Sequence, residues 1–352
     1  MKIARVPNHL FLLALLAALL VAIFLLSLSL GSVSIPLEQI VTILFGGGAE
    51  KASWATIVLK FRLPKAITAA LAGAALSASG LQMQTLFRNP LADPFVLGIS
   101  SGASLGVALV VLAAGVAGGS TLLAGVSLVG DMSLAVASIT GSVLVLLLVM
   151  AVAQRVQSTM TLLILGLMFG YATSALVSVL LYFSIAERIQ AYISWTFGSF
   201  GGVTWSQLQV FGPVVVAALI LSHLLVKSLN ALLLGDTYAR SMGLNVRLAR
   251  LGVILTSASL AGAVTAFCGP IGFLGVAVPH LCRALLNTSD HRLLLPAVTL
   301  LGAGLALAAD LLAQLPGSQL TLPLNAVTAL LGAPVVGWVI LRQRNLRESF
   351  AG

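Results

Sequence analysis

Charged side chains are the residues of this sequence that could carry chemistry, and they are scarce: Asp, Glu, Lys and Arg make up 8% of its 352 residues. Four of them occur together in one segment of mixed polarity, LNALLLGDTYARSMGLNVRLAR at 229–250: Asp236, Arg240, Arg247 and Arg250. Gly235 and Gly243 divide this segment into short pieces, each with an apolar and a charged side. Such pieces fit either a helix that lies on the lipid surface or a helix pair that docks into a groove of a cytoplasmic partner.

The nine acidic residues bear on how any transport by this chain would be driven. A carrier coupled to protons or sodium ions generally keeps a carboxylate inside the membrane, where it binds the ion. Here every Asp and Glu falls in a predicted loop or near the end of a predicted span. The sequence also lacks the G-x-x-x-x-G-K-[ST] pattern of a phosphate-binding loop. We therefore predict no catalytic residue, and we expect either a passive channel or an energy source on another subunit.

His280 and the two cysteines are the remaining candidates for metal binding. Cys268 and Cys282 fall in apolar runs, and neither belongs to a C-x-x-C pair. His280 lies in the apolar stretch PHLCR and the other three histidines are scattered, so a bond to a backbone carbonyl is its commoner role. The sequence predicts neither a metal site nor a cofactor within this chain.

The elements that position these residues are predicted to cross a membrane. The sequence is 59% hydrophobic with a mean hydropathy of +1.12, and a helix needs about 20 mostly apolar residues to cross the hydrocarbon core. We predict an all-α integral membrane protein with a single transmembrane domain over residues 1–352. Only GPIG separates its seventh and eighth apolar runs, so a broken helix fits there. About ten runs are expected to form helices: 10–30, 62–84, 96–116, 133–154, 160–184, 206–227, 248–268, 273–287, 293–313 and 324–342.

The distribution of basic residues predicts the orientation of these helices. Thirteen of the eighteen Lys and Arg residues fall on the inner side if the N-terminus is inside. Both termini are therefore expected to face the cytoplasm, with residues 229–250 on the same side. This bias and the attraction of anionic lipid headgroups account for the net charge of +9, so we expect membrane lipid and not nucleic acid as a partner. The cations left outside are Lys51, Lys60, Arg62, Lys65 and Arg188.

Several sequence blocks, taken in order, resemble the FecCD family of ABC importer permeases for iron chelates, haem and cobalamin. The resemblance implies a cobalamin-importer-like fold (type II ABC importer) in the inner membrane of a bacterium. It also implies a second copy of the chain, two ABC ATPase subunits that hold ATP and Mg, and a periplasmic or lipid-anchored substrate-binding protein. Beside 229–250, the matching blocks are KFRLPKAITAALAGAALSASGLQMQTLFRNPLADPFVLGISSGASLG (60–106), WTFGSFGGVTW (195–205), GPIGFLGVAVPHLCR (269–283) and TALLGAP (328–334).

The resemblance also assigns roles to individual residues. The family's loop corresponding to 229–250 sits on the ATPase and transmits its closure to the membrane helices. On the outer side, arginines of the family meet acidic residues of the binding protein. Arg62 matches one of these arginines, and Lys65 replaces another with the same charge. The coupling residues implied here are Leu234, Gly235, Asp236, Arg240, Gly243 and Val246.

A glycine pattern near the third predicted span points to helix packing. Gly98, Gly102 and Gly106 repeat every four residues, a spacing that lets a neighbouring helix approach closely in lipid. We therefore predict a packing face rather than a substrate site.

Three positions depart from the family's usual pattern. Gln314 stands where an Arg usually follows the Asp of the ninth span, here Asp310. Thr321 and Asn325 replace the acidic residue and the glycine of the common E-L-P-x-G, at the outer mouth of the pathway. An iron-siderophore is the first expectation for the substrate, with haem and cobalamin as alternatives. A secondary carrier or channel that works without ATP is the rival from another class.

Overall fold

The computed structural model describes residues 9–112, 132–155, 159–315 and 321–349, and the regular structure in these ranges is entirely helical. A π-helical turn, Ile57–Arg62, joins α3 to α4, and a short 3-10 helix, Pro94–Leu97, precedes α5. In chain order the α-helices are α1 His9–Ser29, α2 Leu37–Leu44, α3 Ala52–Thr56, α4 Leu63–Leu86, α5 Ile99–Leu112, α6 Ser133–Arg155, α7 Thr159–Tyr182, α8 Ala186–Thr196, α9 Trp205–Leu224, α10 Val226–Leu233, α11 Asp236–Ser241, α12 Val246–Cys268, α13 Leu274–Leu286, α14 His291–Ala313 and α15 Leu324–Ser349.

The apolar helices confirm the expected all-α membrane fold. Seven helices among the described residues are long and apolar enough to cross a membrane, and three shorter apolar helices lie at Ile99–Leu112, Leu274–Leu286 and Leu324–Gly337. Together they correspond to the ten predicted runs. The run predicted at 96–116 begins as a helix only at Ile99, and its residues 113–116 lie outside the described residues. The N-terminal residues 1–8, with Lys2 and Arg5, also lie outside them.

The break expected near GPIG is larger than a kink. Helix α12 ends at Cys268, and α13 begins at Leu274 and packs against α4, α14 and α15. Gly269 has φ +76° and Phe273 has φ +70°, so neither end of the intervening segment can continue a helix. At 13 residues, α13 is about 20 Å long and cannot cross the hydrocarbon core alone.

Helix α4 is the centre of the packed core, where it contacts α9, α12, α13 and α14. Its sequence is rich in Ala, Gly and Ser, and small residues let helices approach closely where lipid provides no hydrophobic drive. A Cβ at Gly73 would collide with the carbonyl of Gly302, and one at Gly80 with that of Gly275. These close approaches fix the position of α4 against α14 and α13.

The glycines at 98, 102 and 106 lie between α5 and its neighbours, although they do not share one helix. A Cβ at Gly102 would lie 2.6 Å from the Gly141 carbonyl, and one at Gly106 would collide with the carbonyl of Ala137, both on α6. Gly98 instead caps the 3-10 helix with φ +76° before α5 begins. Two of the three glycines therefore permit close packing of α5 and α6, while the first permits a turn.

Candidate functional site

Two polar clusters on α4 define the two ends of the molecule. Lys65 forms an ion pair with Asp310 near the first end, and Thr85 bonds His291 near the second. Twenty residues of helix separate Lys65 from Thr85, a distance of about 30 Å, which is the thickness of a bilayer core. Residues 229–250 lie at the Thr85 end, and the distribution of basic residues predicts that this end faces the cytoplasm.

The segment 229–250 carries an exposed apolar ridge at this end. It folds as the end of α10, the short helix α11 and the start of α12. Leu234, Tyr238 and Met242 are spaced four residues apart and are 62%, 53% and 62% exposed. Leu234 precedes α11 across Gly235, Tyr238 lies within α11 and Met242 caps its end, and these three exposed side chains are here called the apolar ridge. Arg240 is exposed on the same short helix.

Both glycines of the segment adopt backbone conformations that other residues reach with difficulty. Gly235 precedes α11 with φ +105°. Gly243 follows α11 with φ +80°, and the N–H groups of Gly243 and Leu244 donate to the carbonyls of Arg240 and Ala239. This is the bond pattern of a Schellman motif, which favours glycine at this position. No atom lies within 4 Å of a Cβ built on Gly243, so backbone freedom rather than close approach requires glycine there.

The other predicted coupling residues have different surroundings. Asp236, the first residue of α11, forms an ion pair with Arg250 of α12, which fixes the angle between the two helices. Val246 is only 5% exposed and packs in the core beside Val253 and Leu229. Its side chain is therefore part of the core and does not contribute to the exposed surface.

A chain of hydrogen bonds connects this segment to α4 and α14. The Asn230 amide donates to Asp290 Oδ1 at 2.7 Å, and Asn230 Oδ1 accepts from the His291 backbone N–H at 2.9 Å. Asn230 Oδ1 also lies 2.7 Å from His291 Nδ1, so this nitrogen carries a proton, and the other ring nitrogen, Nε2, lies 2.7 Å from the Thr85 hydroxyl. The sequence interpretation missed this cluster, because its members are separated by up to 206 residues.

Arg88 is a second residue that the sequence did not single out. It follows the end of α4 with φ +47°, an uncommon conformation for a residue other than glycine. Its guanidinium lies against Gly235, where a Cβ would be 3.2 Å from Arg88 Nη1. The end of α4 thus touches the start of α11.

His280 makes the backbone contact that the sequence favoured. Its Nε2 donates to the Pro90 carbonyl at 2.9 Å, which joins α13 to the turn after α4. Arg283, one helical turn further, donates to Gln84 Oε1 at 2.7 Å. Among the residues described, no cluster of three or more His, Cys, Asp and Glu side chains could hold a metal ion.

Asp93 lies in the same turn and caps the 3-10 helix. Its Oδ1 accepts a hydrogen bond from the Phe95 N–H at 2.9 Å. Burial raises the pKa of Asp93 to about 6, although the Phe95 bond acts in the opposite direction. Its carboxyl group therefore changes charge near neutral pH.

Replacing Asp93 by asparagine is expected to remove the loss of folding stability that ionisation of this carboxyl causes as the pH rises. The asparagine side chain still offers an oxygen to the Phe95 N–H. The folded pKa of about 6 exceeds the ordinary 3.8, so the carboxyl stabilises the wild type below about pH 4 and this contribution is lost as the pH rises through 6. We expect the pH-dependent difference in unfolding free energy between the two proteins to be about 1 kcal/mol. This is less than the full pKa shift implies, because solvent reaches part of the side chain and screens its charge. Thermal unfolding in detergent at pH 4 and pH 7.5 measures it, and identical pH dependence of the two proteins would contradict the assignment.

At the Lys65 end of α4, which is predicted to face outward, Arg62 has partners within the chain. Its Nη1 donates to the carbonyls of Leu28 at 2.7 Å and Ser29 at 2.9 Å, and its Nη2 donates to that of Val33. These bonds tie the end of α1 to the start of α4. The guanidinium is half-buried and is already oriented by backbone oxygens.

Lys65 is likewise paired inside the chain. Its Nζ lies 3.0 Å from Asp310 Oδ1, and Gln314 donates to Asp310 Oδ2 at 2.7 Å. Gln314, which departs from the family pattern, therefore holds the Asp310 carboxylate that pairs with Lys65. A cavity of about 710 Å³ opens beside these residues and is lined by Lys60, Arg62, Lys65, Thr204, Trp205 and Gln314, among others.

Comparison with known proteins gives a consistent result over most of the chain. The FecCD transport family model matches residues 19–342. The chain is 39% identical over 288 residues to the vitamin B12 import system permease protein BtuC of Klebsiella pneumoniae, covering 82% of this chain and 83% of that protein. It is 38% identical over 334 residues to the hemin transport system permease protein HmuU of Yersinia pestis, covering 95% and 96%.

The fold is also similar to a solved structure described as an inward-facing conformation of a metal-chelate type ABC transporter. The TM-score is 0.81 with 29% sequence identity, and the alignment covers 94% of this chain and 99% of that chain.

Proposed function

Because this chain belongs to the FecCD transport family and is a permease of an ABC importer, we propose that two copies of it form the pathway for a bulky metal chelate. Two ATPase subunits bind its cytoplasmic side, and a substrate-binding protein delivers the chelate to its outer side. The ATP and Mg belong to the ATPases, and this chain contributes no catalytic group. Its proposed location is the inner membrane of a bacterium, with both termini in the cytoplasm.

The apolar ridge is the observation that carries this proposal. Leu234, Tyr238 and Met242 are exposed at the end of the molecule that is proposed to face the cytoplasm, beside the charged Arg240. Exposed apolar side chains on a short helix and at its two ends, next to a charge, have the character of a segment that docks into a groove. A helix lying flat on lipid would not need the Asp236–Arg250 ion pair that sets its angle to α12.

The contacts behind the ridge support a path for mechanical coupling. Closure of the ATPases would displace α10 and α11. Asn230 would pass this displacement to the start of α14 and, through His291 and Thr85, to the end of α4. Because interiors are packed rather than fluid, helices joined in this way move as bodies and can switch the cavity between outward and inward access.

The exposed faces of α7 and α15 support the proposed homodimer. Tyr182 and Tyr171 of α7 are 83% and 69% exposed, and Leu330 of α15 is 75% exposed. Only 17% of the apolar window of α7 is buried within one chain. Aromatic and apolar side chains are enriched at protein interfaces, so these two helices are the proposed contact with the second copy.

The outer cations are proposed to dock the binding protein. Reversing Arg62 to Glu is expected to weaken docking by about 1–3 kcal/mol, through lost steering and a lost charge pair. It should also lower the thermal midpoint, because the carbonyls of Leu28 and Ser29 lose their donor. Binding of the purified binding protein at low and high salt, together with thermal unfolding, measures both effects.

Lys60 provides the matched control for Arg62. It is exposed, lines the same cavity, and makes no hydrogen bond or ion pair in the described part of the chain. Lys60→Glu should therefore slow association while leaving the thermal midpoint unchanged. Unaltered binding and uptake by Arg62→Glu at low salt would show that the arginine serves the fold and the lipid headgroups instead.

The proposed chelates are an iron-siderophore, which the sequence pattern placed first, and haem or cobalamin. The names of the relatives support haem or cobalamin, since they describe permeases for vitamin B12 and hemin. The departures at Gln314, Thr321 and Asn325 alter the outer surface that receives the chelate, so substrate preference need not follow either relative.

Reconstitution tests both the class and the substrate. The chain is co-expressed with its cognate ATPase, reconstituted in vesicles with the binding protein, and supplied with ferric siderophore, haem or cobalamin. We expect ATP-dependent uptake of one chelate, and no ATP hydrolysis by the chain alone. Uptake driven by an ion gradient without the ATPase would favour the secondary carrier and overturn the proposal.

A further inference from the structure

Asn325 occupies a junction of three elements at the outer end of the molecule. Its backbone N–H donates to the Phe197 carbonyl at 3.0 Å, just after α8. Its side-chain Oδ1 accepts a hydrogen bond from the Gly272 N–H at 3.1 Å. It belongs to the first turn of α15. One residue therefore ties together α8, the segment 269–273 and α15.

The segment 269–273 needs such a partner because it runs as non-helical backbone through the outer part of the membrane. It starts beside Trp195 at the outer end and stops where α13 meets Gly80 of α4. Gly80 lies fifteen residues beyond Lys65, or about 22 Å deeper along α4. Non-helical backbone at membrane depth persists only where protein buries it or where it lines a water-filled cavity.

The amide of Gly272 therefore has two ways to find an acceptor. In this conformation the Asn325 carboxamide accepts from it. The glycine that is usual at this position of the family pattern has no side chain and could not do so. Without Asn325, water must supply the acceptor, which favours a hydrated and more open arrangement of the segment.

We propose that Asn325 is a positioning residue that holds the outer mouth of the pathway closed by bonding the Gly272 backbone. The inference rests on the proposed function, in which two copies form the pathway and α7 and α15 are the contact between them. Asn325 joins the start of α15 to the end of α8, the helix that follows α7. Release of its side-chain bond lets the segment 269–273 separate from α15.

Cys268 is a native reporter for this movement. It immediately precedes the segment, is 3% exposed, and its carbonyl accepts from the Ser199 N–H at 2.8 Å. The only other cysteine, Cys282, is fully buried on α13 toward the inner end. Opening of the outer mouth exposes Cys268 alone, whereas general loosening exposes both thiols.

The test uses the permease–ATPase complex in lipid nanodiscs without nucleotide. A water-soluble maleimide is added, and the initial modification rates of Cys268 and Cys282 are measured by peptide mass spectrometry. Asn325→Gly and Asn325→Ala are expected to raise the Cys268 rate about two- to tenfold, the range of one ordinary hydrogen bond, without changing the Cys282 rate. The alanine variant separates the missing acceptor from added backbone freedom.

Two controls and two contrary outcomes complete the experiment. Asn325→Asp keeps an acceptor oxygen, and Thr321→Ala changes a nearby exposed residue that also departs from the family pattern. Both variants should therefore retain the wild-type rate of Cys268 modification. Wild-type Cys268 rates in Asn325→Gly and Asn325→Ala, or equal increases at both cysteines, would overturn the inference. Failure of the wild-type complex to import any chelate would instead overturn the proposed function, since labelling does not depend on transport.

Discussion

A triple replacement of the apolar ridge, Leu234→Ser, Tyr238→Ser and Met242→Ser, is expected to abolish stable association with the ATPase. These side chains are 62%, 53% and 62% exposed in the single chain, so their removal costs no packing in the core. Buried in a groove, each is expected to contribute about 1–2 kcal/mol, and their combined loss should weaken association at least about a hundredfold. Co-purification of the ATPase and uptake in the same vesicles measure the effect.

The control for this prediction is a set of exposed apolar residues at the opposite end of the molecule, near the start of α4. Val33, Phe45 and Phe61 are 47%, 88% and 66% exposed. Their replacement by serine should leave ATPase association at the wild-type level. If the ridge variant co-purifies with the ATPase as well as this control does, residues 229–250 form a solvated or lipid-bound loop, and the ridge has no role in docking.

Gly243→Val is expected to lower uptake strongly while the protein still reaches the membrane. Gly243 has φ +80°, and a left-handed conformation costs about 1–2 kcal/mol for an L-residue and more for a β-branched one. No neighbouring atom would clash with the new side chain, so the damage is confined to the Schellman turn that orients α11 on α12. We expect at least a tenfold loss of uptake, with uncoupled ATP hydrolysis or weaker ATPase association.

The variant Gly243→Asn separates the effect of backbone conformation from the effect of side-chain size. Asn tolerates the left-handed region, so Gly243→Asn should keep most of the uptake. Arg240→Glu probes the charge beside the ridge without altering the turn, and it should weaken ATPase association. Full transport by both Gly243→Val and Arg240→Glu, with unchanged ATPase association, would contradict a coupling role for this segment.

The sequence by itself determined that the protein lies in a membrane, where its helices run and to which family it belongs. Apolar runs of about 20 residues can only be helices in a bilayer, because every backbone N–H must be bonded within its own segment. Most predicted runs consequently match the ten apolar helices to within a few residues, whereas the span that corresponds to 62–84 already begins at Ala52 and residues 113–116 lie outside the described residues. The glycines that break residues 229–250 were likewise readable, because backbone conformation at a turn is a local property.

Only the tertiary structure decided which polar side chains meet. The bonds among Thr85, Asn230 and His291 join three helices, and no local pattern encodes a contact across 206 residues. The same limit applies to Arg62 and Lys65, whose positive charges suggested free docking groups. Their position beside the carbonyls of α1 and the carboxylate of Asp310 depends on how α1, α4 and α14 pack.

At Asn325, too, the sequence supplies one part of the description and the tertiary structure supplies the other. The sequence marks it as a departure from the usual glycine, but not what its side chain contacts. Its partner, the Gly272 N–H, lies 53 residues away and becomes available only because α12 stops at Cys268 and the chain re-enters the membrane unwound. Helix formation follows from the local sequence and the bilayer, whereas bonds between polar groups on different helices depend on packing geometry, which arises only when the whole chain has folded.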